Sequence, residues 1–326
     1  MAGKFKFTPE DYQQAAIKYR NELLYLPIFG INDTLQHMTG RPGIRYAERV
    51  GTISADAQFA PYNPSREEDI DLQLDFRELK TYFGSVVANF EPNTAISTLL
   101  GTGSTKGDGQ MTTPTARHVL ALIAKGLSKH LNDAVWNGKR NAAGNTTKDL
   151  FDGFDTITAQ EIAAGEISDA KDNYVKLADT INPANVVDIL KQIMFEMDPQ
   201  LRATDCNIYC SQQLVDIYNE GYQLTHGTLP YNTQYGQNAV EGSNGKLHFV
   251  PLFNKADSGF IHIAPKSNML VGYDQMGDVE NVMVKEYKPF VLSYIATMFF
   301  GCQFETLHSS RLKVVELAAE PFSFGK

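Results

Sequence analysis

Cysteine is scarce, with only Cys206, Cys210 and Cys302 in 326 residues. An odd, sparse count excludes a disulfide-stapled scaffold and fits a reducing compartment. Long hydrophobic runs are missing as well. The richest candidate, "ELLYLPIFGI" at 22–31, is too short and too interrupted by Pro27 to span a bilayer, and the opening "MAGKFKFTPEDYQQ" has no apolar stretch of signal-peptide type. Positive charge is in deficit: 29 Lys and Arg face 38 Asp and Glu, a formal net charge of -9. A chain-wide grip on phosphate backbones is therefore not expected, and any nucleic-acid contact has to be local.

Catalytic spacings are absent too. His226, His248, His262 and His308 are scattered, with no HExxH arrangement. Cys206 and Cys210 have no second pair to complete a metal site, which points to buried structural thiols. His130 has Asp133 three residues on, a helix-surface pair rather than a catalytic one, and His118 lies on the same predicted helix. "GTGSTKGDGQ" at 101–110 lacks the Gly-Lys-Ser/Thr of a phosphate loop and reads as a surface loop. The carboxylates of "EED" at 67–69 have the chemistry of a Ca²⁺ site but the pattern of a solvated face. No catalytic, cofactor-binding or metal-ligating residue is assigned, and no enzyme activity is expected.

At 43% hydrophobic and 21% charged, the chain has the composition of a folded protein of one large or two joined domains. A first helix is predicted from Thr8 and Pro9, with Tyr12, Ala15, Ala16, Tyr19, Leu23 and Leu24 in a stripe that Pro27 ends. "GTISADAQFAPYNPSR" at 51–66 is strand-like with little core of its own, and it returns through Ile70, Leu72, Leu74 and Phe76, which alternate with polar residues as one dry strand face. Thr113 and Pro114 open the longest helix, running to about Trp136, with Val119, Leu120, Ile123, Leu127, Leu131 and Val135 on one side.

Leu150, Phe151, Phe154 and Ile157 form an apolar anchor around Gly153, and "AQEIAAGEISDAKDNYVKLADT" reads as a broken helix. Asn182 and Pro183 open a firmer helix with Val186, Val187, Leu190, Ile193 and Met194 inward. The strand "NIYCS" follows, then a helix capped by Ser211 and closed by Gly221. A long loop is predicted from Tyr222 to Lys246, and the remainder is β-rich. The class is α+β.

This order of parts resembles the major capsid protein of tailed bacteriophages and prophages, the Hong Kong ninety-seven-type capsid fold. The resemblance rests on element order and covers nearly the whole chain. It implies an N-terminal arm at 1–47 and an extension loop at 48–78. A peripheral domain follows at 79–181, with a spine helix at 114–136, then an axial domain at 182–275 and the return strands and C-terminus at 276–326. It further implies a structural protein that assembles through pentamers and hexamers into an icosahedral head around double-stranded DNA, without sequence-specific binding or membrane contact.

On this reading Ile53, Phe59, Tyr62 and Arg66 of the extension loop are assembly contacts that find their core on a neighbouring copy. Some members of the family cross-link this loop through a lysine, but residues 45–79 contain none, so no isopeptide bond is expected there. Because the folded pattern begins close to Met1, any scaffolding protein is expected to be a separate chain. A portal and a head-maturation protease are the other implied partners. The implied location is the virion, assembled in the bacterial host cytoplasm. An encapsulin-like shell around protein cargo is the near alternative. A binding module using the 222–246 loop, with Tyr222, Tyr231 and Tyr235 as anchors, is the alternative of another class, and an enzyme of unfamiliar type is a third.

Overall fold

A computed structural model of the chain describes residues 32–55, 62, 72–91, 113–228, 230, 238–274, 282–289 and 291–323. The predicted first helix, the 101–110 loop, the 67–69 carboxylates, Phe59 and Arg66 lie outside them. A helical turn, α1 (Asn32–Leu35), leads to β1 (Thr39–Pro42), β2 (Ala47–Ala55), β3 (Leu72–Lys80) and β4 (Tyr82–Phe90). The helices α2 (Thr113–Asn137), α3 (Phe154–Ala164), α4 (Val186–Glu196), α5 (Pro199–Ala203) and α6 (Gln212–His226) fill the middle. Interleaved and following are β5 (Tyr174–Lys176), β6 (Cys206–Cys210), β7 (Leu247–Pro251), β8 (Phe260–Ala264), β9 (Met269–Tyr273), β10 (Val282–Lys288), β11 (Val291–Phe304) and β12 (Lys313–Glu316).

The strands form two five-stranded sheets and one two-stranded ribbon. In the first sheet the 14-residue β11 is the axis: its first part pairs with β10 on one side and β4 on the other, and its last part pairs with β9, which carries β1. The second sheet runs β5-β12-β8-β6-β7. Thus β9, inside the 182–275 stretch, belongs to the sheet of β11, and β12, in the closing stretch, pairs with β8. The ribbon pairs β2 with β3 from Ala47↔Lys80 to Ala55↔Leu72.

Along α2, Leu120, Ala124, Ser128, Leu131 and Val135 are buried, at the three- and four-residue intervals that keep one helix face against a core. Its C-terminal end brings Trp136 against Phe154 and Tyr209, and the first core continues through Phe151, Phe300 and Phe304. The second core lies between α4, α6 and the β6–β8 strands, where Leu190, Ile193, Ile208, Leu214 and Ile263 meet. All five inward positions assigned to α4 are buried.

Two expectations need correction. The predicted broken helix from 159 to 180 is instead the end of α3, a 3-10 turn at Asp169–Lys171 and the strand β5. Gly165, at φ 75°, closes α3 in the left-handed conformation. The Asn173 amide then donates to Glu166 O and Leu307 O, and its side-chain oxygen accepts from Ser168 N, so the side chain takes over backbone partners that a helix would supply.

The helix opened by Ser211 also does not stop at Gly221. It continues to His226 and is closed by Gly227 at φ 71°, so Tyr222 is helical and the loop begins five residues later than predicted. Gly221 is there for closeness, since a Cβ at that position would lie 2.4 Å from Pro183 O and 2.7 Å from Val186 Cγ1. Tyr222 stacks between Tyr218 and His226. Tyr231 and Tyr235 lie outside the described residues.

Candidate functional site

The β2–β3 ribbon is the feature whose placement matters most, because its two faces are treated differently. Near the root, one face is docked on the body. Val50 and Leu79 are buried with Ile44 and Leu270. Thr306 Oγ1 donates to Asp75 Oδ2 at 2.9 Å, and Arg77 reaches Glu161 on α3 and Gln303 Oε1, the latter at 3.2 Å. Gln303 Nε2 in turn donates to Glu78 O at 3.4 Å.

The other face is left open. Phe76, expected on the dry side of its strand, is 52% exposed, which reverses the predicted orientation at this end. Val50, Leu79, Asp75 and Arg77 share the docked face and find partners in the body, whereas Phe76, Glu78 and Lys80 share the other face and are exposed. In the register Leu74 pairs with Ile53, two residues along from Phe76. Tyr62 is 92% exposed.

The ribbon leaves the body at a tight crossing. A Cβ on Gly301 of β11 would lie 2.0 Å from Lys80 O, so only glycine lets the β3–β4 junction pass over the sheet. Thr81 holds the junction by donating from its backbone N to Tyr46 O at 2.8 Å and from Oγ1 to Ile44 O at 3.1 Å. Beside it, Tyr46 and Phe83 both pack on Phe299 while remaining largely exposed themselves.

A second feature, not visible in the sequence reading, is a buried polar cluster beneath the turn Phe253–Lys255. Lys255, 2% exposed, places Nζ 3.0 Å from Asp155 Oδ1, 3.0 Å from Ser258 Oγ, 3.3 Å from His262 Nδ1 and 4.1 Å from the centre of the Trp136 ring. Burial lowers the Lys255 pKa, and the Asp155 carboxylate opposes that shift. Burial, then the Lys255 charge, holds His262 well below the ordinary histidine value, so its ring is neutral, and Nε2 pairs with Thr158 Oγ1 at 2.8 Å. The cluster joins positions about a hundred residues apart, which no local spacing could reveal.

The remaining chemistry agrees with a structural role for these groups. All three cysteines are free and buried; burial pushes the Cys206 and Cys210 thiols up to about 12 and Cys302 well above its ordinary value. His130 is exposed, and Asp133 pairs with Lys148 at 2.8 Å and accepts from Asn137. Among the described residues no group of three or more His, Cys, Asp or Glu is placed to hold a metal ion, and no helix is long and apolar enough to cross a membrane.

No family model and no curated protein matches the chain. Solved structures do match it over nearly its whole length. A chain of the satellite phage P4 procapsid, which includes the size determination protein, superposes with a TM-score of 0.59 at 14% identity, covering 92% of this chain and 91% of that one. The capsid of an empty GTA particle gives 0.56 at 11% identity over 89% and 90%. The holo-SrpI encapsulin complex from Synechococcus elongatus PCC 7942 gives 0.51 at 12% identity over 90% of each chain. At such identities it is the fold that is shared, and the chain has the α+β capsid fold of the Hong Kong ninety-seven type.

Proposed function

We propose that this chain is the major capsid protein of a tailed phage or prophage, assembling through pentamers and hexamers into a closed icosahedral head around double-stranded DNA. The observation that carries the reading is the β2–β3 ribbon: one face is docked on its own body through Val50, Leu79, Asp75 and Arg77 while Phe76 on the other face is left in water. Such a face belongs against another copy. The whole-length likeness to phage capsid chains supports the same reading.

The ribbon is the extension loop, with Ile53, Phe59, Tyr62 and Arg66 as its contacts on a neighbour, and α2 is the spine helix. The arm at 1–47, the peripheral parts at 79–181 and 276–326 and the axial part at 182–275 complete the assignment. A separate scaffolding protein, a portal and a head-maturation protease are the partners such a subunit needs, and the particle would form in the host cytoplasm. With a net charge of -9, the subunit has no chain-wide attraction for the genome, which suits a container that must also release it.

Deletion of residues 52–65 tests this directly. The subunit should keep its circular dichroism spectrum and fail to form closed particles by electron microscopy. Normal particles from the deleted chain would refute the role of the ribbon. The encapsulin likeness favours a second reading, a shell around protein cargo. The contents separate the two, since nuclease-protected DNA supports the phage head and a co-purified protein in its place supports the encapsulin.

A further inference from the structure

Phe253 is 62% exposed, yet the two residues after it are 7% and 2% exposed. Asn254 Nδ2 donates to Asn132 O at 2.6 Å and to Asn132 Oδ1 at 3.0 Å, and Asn254 O accepts from Asn137 Nδ2 at 3.2 Å. Lys255 is held by Asp155, Ser258, His262 and Trp136 as described above. A three-residue 3-10 turn is thus pinned by polar contacts on its buried side, and the one side chain it turns outward is a phenylalanine. Solvating an aromatic ring on so rigid a turn gains the isolated subunit nothing. A preorganised aromatic of this kind is what the centre of an interface uses, because little entropy remains to be lost on docking.

The same chain also has an unfilled receptor. A groove of about 540 Å³ runs between α2 and the β4–β11 part of the first sheet, with Leu127, Leu131, Val86, Leu150 and Met298 on its walls and Arg140 at its edge. Tyr294 also lines it, and its hydroxyl is buried without a hydrogen-bond partner. Leu127 and Leu131 face this groove, whereas Asn132, about 100° further round the helix, anchors the Phe253 turn. Knob and groove therefore occupy different flanks of α2, and Phe253 is not among the groove's residues. Charge runs in the same sense: Asp257, exposed in the knob's turn, matches Arg140, exposed at the groove.

We propose that Phe253 of one copy seats in the groove between α2 and the β4–β11 sheet of the next copy, with Asp257 facing Arg140. The contact is head-to-tail, so each copy both gives a knob and receives one, and repetition gives a ring when the rotation between copies closes. This rests on the shell reading and specifies one contact of it.

The test begins with wild-type protein examined by sizing and electron microscopy. A wild type that stays monomeric at high concentration overturns the shell reading, and this contact with it. Where the wild type assembles, Phe253→Asp should lower the yield of rings and particles at least tenfold with an unchanged circular dichroism spectrum. Asp257→Arg and Arg140→Asp should each impair assembly, and their combination should restore it. The pair Phe253→Cys with Leu127→Cys should give a ladder of disulfide-linked chains on a non-reducing gel, which neither single variant gives. Assembly of Phe253→Asp at wild-type yield, or a double-cysteine chain without a ladder, overturns the contact while leaving the shell reading intact.

Discussion

Replacing Asp155 by alanine strips Lys255 Nζ of the carboxylate 3.0 Å away while leaving the lysine in a site where its side chain is 1% exposed. Breaking a buried pair from one side costs about 3–5 kcal/mol, because an uncompensated charge stays inside. About 1 kcal/mol moves the melting midpoint by roughly 2–4 °C in domains of about 150–250 residues and by less in a longer chain, so D155A should melt roughly 5–8 °C lower at neutral pH. Combining Asp155→Leu with Lys255→Met removes both charges and roughly keeps the volume. The cost of this double variant should be much smaller, near zero or even favourable, since a buried ion pair contributes little net stability.

The two variants differ again in pH dependence. Burial lowers the Lys255 pKa in the folded protein below the 10.5 of the unfolded chain. Between those two values the unfolded state binds more protons, so stability from this group rises as pH rises through that window and is lost as pH falls through the folded value. D155A removes the opposing attraction, widens the window and should regain part of its lost stability as the solution is made alkaline. The double variant should lack this component. Thermal and denaturant melts of unassembled subunits, followed by circular dichroism at several pH values, read all of it. If D155A melts within a degree of wild type, or the double variant costs as much as D155A, the charge argument is wrong.

Three further outcomes follow from the packing. Gly301→Ala should give misfolded or strongly destabilised subunit, as a soluble-fraction assay would show, because its Cβ would lie 2.0 Å from Lys80 O. Arg77→Ala, which frees the ribbon from Glu161 and Gln303, should reduce particle yield in electron micrographs far more than it lowers the melting midpoint. The three thiols, raised by burial, should resist a thiol reagent at pH 8 in native protein and all react in guanidinium; rapid native labelling of even one would contradict their placement.

Much of the architecture was legible because it is periodic. Leu120, Leu131 and Val135 of α2, the five inward residues of α4 and the β-rich last third each follow from hydrophobic spacing alone, while the predicted Ile123 and Leu127 are only half-buried. The misplaced ends have a shared cause. Gly221 looked like a helix stop, but the residue was needed for contact with Pro183, and the real stop, Gly227, has the same letter. Phe76 was assigned to the dry side of its strand because apolar alternation identifies a face without saying whose core it joins. The Lys255 cluster was illegible for a different reason: Trp136, Asp155 and His262 come together only through the tertiary fold.

The central position of β11 has a consequence for how the subunit is made. Residues 82–90, 269–273 and 282–288 all depend on 291–304 to become one sheet, so a ribosome must have passed Phe304 before that sheet can close. A prematurely terminated chain has no platform under the crossing at Gly301 from which to present its ribbon. On the shell reading proposed above, truncated translation products would thereby be kept out of the particle by topology, before any quality-control factor acts on them.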